Sequence, residues 1–185
     1  MISTSDFKNG NIISVNNEPY QIIWFQNHKP GKGGAIIRIK LKHVKKKSII
    51  NRTFKSGEKF KILNLIKQKK QFLYKNGINF NFMDNNTYEQ IIINESMIGE
   101  KSKFLKENTE VEIIYLDNEI IDINLPITIE MKVIHTENEI KGDSISNNTK
   151  IVTIETGANI RVPLFIKNGD IIKIDTRTSK YIERI

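Results

Sequence analysis

The sequence predicts an all-β protein made of three small β-barrels in a row. Short runs rich in Ile, Val, Phe and Tyr recur along the chain, and turn-forming residues separate them. One stretch, residues 96–106, has a helical pattern instead. The runs fall into three consecutive groups of about 60 residues, each the size of a small barrel. Because units this small gain little stability from their own cores, we expect neighbouring barrels to pack against one another.

The first group, residues 1–62, has the pattern of an SH3-like barrel. Strands are predicted at 12–15 and 20–25, and Asn16-Asn17-Glu18-Pro19 between them favours a turn. A third strand follows a Gly-rich loop, and a last one at 49–54 ends at a Ser-Gly turn. Short strands joined by tight turns in so few residues are typical of this barrel class.

The second group, residues 63–126, matches the five strands and one interposed helix of an OB-fold. Asn76-Gly77 is a strong hairpin signal between its first two strands. We expect Ser96 to cap the helix, and we predict three buried positions, Met97, Phe104 and Leu105. Four aromatic residues could stack on bases, although core packing is the preferred interpretation: Phe72, Tyr74, Phe80 and Phe82.

The third group, residues 127–185, is predicted to be another small barrel of OB size. Alternation of apolar and polar residues indicates strands at 127–135 and 150–154. A final hairpin is expected between 171–174 and 181–185. Three barrels in a fixed mutual orientation would act as a rigid spacer rather than as an enzyme.

The composition indicates an anionic partner. Lys and Arg number 29 against 21 Asp and Glu, which gives a formal net charge of +8 and a pI near 9.5. Nucleic acid is a commoner partner than membrane for such a protein. Cysteine is absent and the 3 histidines are scattered, so we predict no disulfide, thiol nucleophile, metal site or cofactor. No apolar run reaches membrane-spanning length and no signal peptide is recognisable, so we expect a soluble, cytoplasmic protein without a membrane partner.

The most distinctive segment is the Gly-rich loop at residues 28–35, His-Lys-Pro-Gly-Lys-Gly-Gly-Ala. Glycine accepts positive φ, and proline fixes φ and lacks an amide donor, so the loop is predicted to form a hairpin tip. Lys32 would stand at its apex, on the order of 13 Å from the sheet. The residues that form the tip around it are Pro30, Gly31, Gly33 and Gly34. A solvated turn is the alternative, and a phosphate-binding loop fails because its spacing and its Ser or Thr are missing.

The strand after this loop carries a row of cations. Ile37, Ile39 and Leu41 alternate with three basic residues, so the two sets are predicted to lie on opposite faces. The basic residues are Arg38, Lys40 and Lys42. His43 and the three lysines that follow Val44 are expected to extend this charge into the next turn. The row is either a solvated sheet face or a stripe that contacts RNA phosphates.

Several short motifs follow one another along essentially the whole chain without a large insertion. They are Pro30-Gly31-Lys32-Gly33, Thr53-Phe54-Lys55-Ser56-Gly57, Phe82-Met83-Asp84-Asn85, Tyr88-Glu89-Gln90, the stretch 150–157, Val162-Pro163, Gly169, and Asp175-Thr176-Arg177 with Tyr181 and Arg184. Together they resemble the bacterial translation elongation factor P family. The combination is highly specific, whereas any single motif is not.

The resemblance implies an L-shaped, tRNA-like monomer in which an SH3-like (KOW-like) domain precedes two OB-fold domains. It implies binding to the 70S ribosome between the P and E sites, and relief of stalling at consecutive prolines. By similarity, Lys32 stabilises the CCA end of the peptidyl-tRNA, which carries proline, and a modifying enzyme often adds a β-lysyl group to this residue. The residues then predicted to contact RNA are Arg38, Lys40, Lys42, Gly142, Asp143, Tyr181 and Arg184.

Two other function classes remain open. A structural RNA-binding protein, such as a ribosomal component, could be built from the same barrels, and it would stay on the ribosome at high salt. A lysine-dependent transferase would need acid and base partners around Lys32. Besides Lys29, the nearby titratable candidate is His28, for which a solvated loop residue is the preferred interpretation. We therefore predict that the protein is not an enzyme and has no catalytic residue.

Overall fold

The computed structural model describes residues 1–29, 34–136 and 149–185. Its strands form three five-stranded sheets, which confirms the all-β fold class, together with one two-stranded sheet. The chain divides into two compact units, residues 1–67 with 114–122 and residues 68–113 with 123–185. The domain boundaries predicted at 62 and 126 stay predictions.

The first five-stranded sheet is antiparallel throughout, with the strand order β5-β4-β3-β2-β7. A short β1–β6 pair and a 3-10 helix at Thr4–Asp6 accompany it. The bounds of its strands are β1 (Ile2–Ser3), β2 (Ile12–Val15), β3 (Glu18–His28), β4 (Ile36–His43), β5 (Ile49–Lys55), β6 (Lys59–Phe60) and β7 (Ile62–Leu63). Its core is a cluster of buried apolar side chains, Phe7, Ile13, Val15, Ile22, Ile39 and Leu41.

The pairing of β3 with β4 contains a β-bulge that changes which side chains face the core. Ile22 is opposite Leu41, but Trp24 is opposite Lys40, so Ile23 is the extra residue. Without the bulge, Ile22 and Trp24 would lie on the same face of the sheet, because they are two residues apart in one strand. With it, Ile22 stays buried while Trp24 turns outward and is 41% exposed.

The second five-stranded sheet has the order β10-β9-β8-β11-β12, and its β8–β9–β10 part is antiparallel. The strand bounds are β8 (Leu65–Asn76), β9 (Asn79–Met83), β10 (Gln90–Asn94), β11 (Glu110–Leu116) and β12 (Glu119–Asn124). The predicted core aromatics Phe72, Phe80 and Phe82 are buried, which confirms that interpretation for them. Tyr74 is exposed instead, because a bulge between Phe72 and Tyr74 turns it outward, as in β3.

The helical segment differs in detail from its prediction. It consists of α1 (Glu95–Ile98) followed by a 3-10 helix at Gly99–Phe104. The cap is Asn94 rather than Ser96, since its Oδ1 accepts the Ser96 amide at 3.0 Å. Met97 is exposed, contrary to expectation, because the α-helix lasts only one turn and its buried residue is Ile98. Phe104 and Leu105 are buried as predicted.

The third five-stranded sheet has the order β15-β14-β13-β16-β17 and is antiparallel. The strand bounds are β13 (Thr128–Thr136), β14 (Thr149–Ile154), β15 (Asn159–Pro163), β16 (Ile171–Asp175) and β17 (Lys180–Arg184). Phe104 joins its core cluster, which includes Met131, Val133 and Ile154. Beside it, Lys106 Nζ lies 2.9 Å from Glu155 Oε1, and Thr156 Oγ1 donates to the Lys103 carbonyl at 2.6 Å.

The turn between β16 and β17 is held by Asp175. Its Oδ2 accepts Arg177 Nη2 at 2.6 Å, and its Oδ1 accepts the Arg177 backbone amide at 2.9 Å. These hydrogen bonds stabilise the ionised carboxylate, the side-chain bond most strongly, and they lower the pKa of Asp175 to about 2.

We expect Arg177→Gln to raise the pKa of Asp175 towards the ordinary range, as followed by carboxyl NMR titration. In the parent protein this carboxylate favours folding above the unfolded pKa, and that contribution is lost as pH falls through about 2. Asp84 is a suitable control, since its pKa is lowered by the amides of Asn86 and Thr87 and by Lys70. Its titration should not change in the variant. An unmoved Asp175 midpoint would contradict the assignment to Arg177.

Candidate functional site

The Gly-rich loop connects β3 and β4, the two longest strands of the first sheet. Their pairing continues to His28 opposite Ile36, and the Ser56 amide donates to the Ala35 carbonyl at 2.9 Å. The loop therefore begins at the paired end of β3 and ends at the paired start of β4. A hydrogen bond also joins Ala35, just before β4, to the turn at Ser56. The predicted tip residues Pro30, Gly31, Lys32 and Gly33 lie outside the described residues.

The alternation predicted along β4 is confirmed. Ile37, Ile39 and Leu41 are each at most 2% exposed. On the opposite side of the strand Arg38 and Lys40 are exposed, and Lys42 is half-buried. We call these three residues, Arg38, Lys40 and Lys42, the cation face.

The cation face groups three basic residues on one side of one strand. No ion pair with a described residue involves any of its three members. Elsewhere, many lysines are neutralised locally; for example, the Nζ atoms of Lys69, Lys75 and Lys173 lie 2.8–2.9 Å from glutamate oxygens. An unpaired cation can bind a phosphate without first losing a carboxylate, so the cation face is suited to bind a polyanion.

Trp24 lies on the same side of the sheet, and sequence reasoning missed it. It pairs with Lys40, whose Nζ is 5.7 Å from the centroid of the indole ring. The bulge at Ile23 is what brings an aromatic ring to this surface. An exposed tryptophan in a basic sequence is a weak signal by itself, because the apolar run around it reads equally well as a buried strand.

A shallow depression of about 500 Å³ lies beside Trp24. Its walls come from three neighbouring strands and contain no carboxylate. Arg38 and Lys40 face the depression, whereas Arg52 lies opposite the buried Ile39, so its side chain is on the other face of the sheet. The lining residues are Trp24, Arg38, Ile39, Lys40, Asn51, Arg52 and Thr53. Asn51 and Thr53 were not identified as site residues from the sequence either, since β5 has no regular pattern of exposure.

The turn after β4 departs from its prediction at His43, which is 3% exposed and adds no charge to the surface. Its Nδ1 accepts the backbone amides of Lys45 and Lys46 at 3.1 and 3.0 Å. Its Nε2 lies 3.4 Å from Glu18 Oε2. Hydrogen bonds from Lys46 and Tyr20 hold the pKa of Glu18 below its usual value. His43 thus fixes the turn that ends β4.

The other predicted RNA contacts lie in the third sheet or beside it. Gly142 and Asp143 are outside the described residues. Tyr181 is half-buried and packs against the core cluster of this sheet. Arg184 stacks over the Phe165 ring at 5.6 Å and lies 3.7 Å from Asp170. Tyr181 and Arg184 belong to the second compact unit, and the cation face belongs to the first.

Among residues 1–29, 34–136 and 149–185, no group of His, Cys, Asp and Glu is arranged to hold a metal ion. The same residues include no helix of the length and apolar character needed to cross a bilayer.

Three family models match consecutive parts of the chain. Residues 3–60 match the elongation factor P KOW-like domain, residues 65–123 match the elongation factor P OB domain, and residues 129–184 match the elongation factor P C-terminal domain. Elongation factor P of Endomicrobium trichonymphae is 65% identical over 184 residues, covering 100% of both chains. The chain belongs to the elongation factor P family.

Further similarities agree with membership in the elongation factor P family. Elongation factor P of Natranaerobius thermophilus is 46% identical, covering 100% of this chain and 98% of that one. A solved eIF-5A family protein from Naegleria fowleri has a TM-score of 0.56 at 14% identity, and covers 67% of this chain and 96% of its own. That likeness supports the fold alone. Membership makes the chain a translation elongation factor rather than an enzyme, and it implies interaction with the ribosome.

Gly34 is the tip residue that the structure describes, and the fold does not require a glycine there. An added Cβ would meet nothing within 4 Å, and the φ of Gly34 lies outside the left-handed region. In contrast, Gly57 has φ +87, which a larger residue adopts only with strain.

We expect Gly34→Ala to leave the free energy of unfolding unchanged or to raise it by up to about 1 kcal/mol, because the unfolded chain loses freedom. Denaturant titration measures this, with Gly57→Ala as the matched control, which should lose on the order of 1 kcal/mol. If Gly34→Ala lost as much as the control, the fold itself would need the glycine.

Proposed function

We propose that this chain binds the ribosome between the P and E sites and stimulates peptide-bond formation at consecutive prolines. In this proposal Lys32 stabilises the CCA end of the peptidyl-tRNA, and the cation face binds RNA phosphates. The protein acts as a monomer in the cytoplasm. The observation that carries the proposal is the cation face itself, which continues directly from the hairpin that bears Lys32 and has no carboxylate partner among the described residues.

The physical basis is positioning. Proline is a poor partner in peptide transfer because its ring fixes φ and restricts the approach of the reacting groups. Holding the end of the tRNA in one orientation lowers the entropy cost of reaching the transition state, while the ribosome supplies the chemistry. A lysine ammonium is a compact charge on a flexible stem, which suits contact with a phosphate backbone.

We further propose that a modifying enzyme extends Lys32 with a β-lysyl or similar group. Such an addition would carry the cationic end farther from the hairpin without changing its charge sign. Lysine at this position is compatible with that chemistry, and intact mass spectrometry of protein from the native host is the direct check.

Family membership separates this proposal from the alternative of a structural ribosomal component. Translation factors bind transiently, so ribosome association should be salt-sensitive. No second function is favoured by an observation on this chain.

We expect Lys32→Ala to abolish relief of polyproline stalling while leaving the fold intact. The measurement is translation of a reporter that contains a Pro-Pro-Pro stretch, compared with the same reporter lacking it. Circular dichroism and thermal unfolding check the fold, and Lys29→Ala is the matched control for loss of one loop charge. Full rescue by Lys32→Ala would overturn the assigned role of Lys32.

We expect the triple variant Arg38→Gln, Lys40→Gln, Lys42→Gln to bind the ribosome more weakly and with a flatter dependence on salt. Losing three phosphate contacts should reduce the slope of log affinity against log salt by about 2 units. The control removes three paired lysines instead, Lys69→Gln, Lys75→Gln and Lys173→Gln, so the net charge falls equally. If both triple variants gave the same slope, net charge and not the cation face would govern binding.

A further inference from the structure

The environment of Trp24 differs from that of an aromatic residue in the hydrophobic core. It is the single tryptophan of the chain, and 41% of it is exposed. Its neighbour Phe25, opposite Ile39, packs on the core cluster, while Trp24 lies on the other side of the strand. The bulge that turns it outward interrupts regular pairing at Ile23, a feature that re-aims a side chain.

The surroundings of Trp24 match the chemistry of a nucleotide. The depression beside it offers two cations, Arg38 and Lys40, for a phosphate. Asn51 and Thr53 add an amide and a hydroxyl that can form hydrogen bonds to a base edge or a ribose. The indole ring supplies a flat apolar surface on which a base can stack.

We propose that Trp24 is a stacking platform for one unpaired RNA nucleotide, whose phosphate is bound by Arg38 and Lys40. This inference rests on the proposed function and assigns it a specific contact. A base inside a duplex has no free face, so the nucleotide must come from a single-stranded end, loop or bulge. Trp24 lies four residues before the end of β3, about 13 Å along the strand at 3.3 Å per residue.

Lys40 does not block this platform. Its Nζ is 5.7 Å from the ring centroid, near the outer limit of a cation–π contact, on a flexible side chain. An exposed contact of this kind changes an equilibrium by only about two- to fivefold. Stacking of a base on an aromatic ring contributes roughly 5- to 150-fold. A nucleotide therefore displaces the Lys40 ammonium from the ring, and the ammonium can then pair with the phosphate of that nucleotide.

The charge of the depression favours RNA over a protein partner. A protein-binding anchor is normally a desolvated pocket at the centre of an interface that is depleted of charge. Trp24 instead lies beside two cations without a carboxylate in the lining. RNA and protein partners also differ in which residue can replace Trp24. A stacked base needs another aromatic ring, whereas a protein pocket also accepts an aliphatic side chain.

The test measures the affinity of the full-length protein for 70S ribosomes carrying peptidyl-tRNA in the P site. Three variants are compared, Trp24→Phe, Trp24→Leu and Trp24→Ala. Stacking predicts that Phe retains most of the affinity, within about fivefold, and that Leu and Ala both lose roughly 5- to 150-fold. Tyr74→Ala is the matched control, because Tyr74 is also an exposed aromatic residue turned outward by a bulge, on another sheet, and it should change nothing.

Cross-linking identifies the partner. Ultraviolet irradiation of the same complex, followed by nuclease and protease digestion, should give a Trp24 peptide that carries a nucleotide. A Trp24 peptide joined to a ribosomal protein, or affinity retained by Trp24→Leu, would overturn the inference. Unchanged affinity in all three variants would do the same.

These failures differ from failure of the proposed function. If Trp24→Ala binds like the parent while Lys32→Ala loses polyproline relief, the stacking platform is wrong and the proposed function stands. If the parent protein itself fails to bind the ribosome or to relieve stalling, the proposed function is wrong.

Discussion

The register between β3 and β4 is the constraint on which the rest of the first sheet depends. Antiparallel pairing from Tyr20 opposite His43 to His28 opposite Ile36 keeps the two legs of the hairpin together. It also decides the side on which each residue of β4 lies, because a slip of one position would exchange the aliphatic and cationic sets. The bulge at Ile23 is the one break in this pairing. It places Trp24 on the same face of the sheet as the cations instead of on the core face.

His43 shows how the same periodicity extends beyond the residues that first attract notice. It is two residues after Leu41, so the pleat that buries Leu41 also buries His43. Once inside, its Nδ1 satisfies two turn amides that would otherwise lack partners. Glu18, held ionised by Lys46 and Tyr20, faces the other ring nitrogen. Hydrogen bonds to His43 therefore hold one end of β4, the strand that bears the cation face. The pairing of Ile36 with His28 holds the other end.

Sequence periodicity predicted most of this fold, since alternation along β4 and the three groups of short strands follow from burial of one sheet face. It missed the bulges in β3 and β8, because each extra residue lies in an unbroken apolar run around Trp24 or Tyr74, where a shift of the alternation cannot be seen. It chose Ser96 over Asn94 as the helix cap because both residue types cap equally well. The loop chemistry indicated Lys32, whereas Trp24 became a candidate only through its pairing with Lys40 across the strands.

The distribution of charge explains how a formal net charge of +8 can give a directed surface rather than general adhesion to polyanions. Lysines that lie within 3 Å of a carboxylate, such as Lys69 and Lys75, present little field beyond their own pair. The cation face has no such partner among the described residues, so its field extends to a ligand at closer to full strength. Phosphate contacts carry no sequence information, but they orient a strand of RNA. In the proposed complex, the Trp24 ring beside the cation face stacks on an unpaired base at one position of that RNA strand. Under the proposed function, such a surface would select the shape of an RNA end and tolerate its sequence.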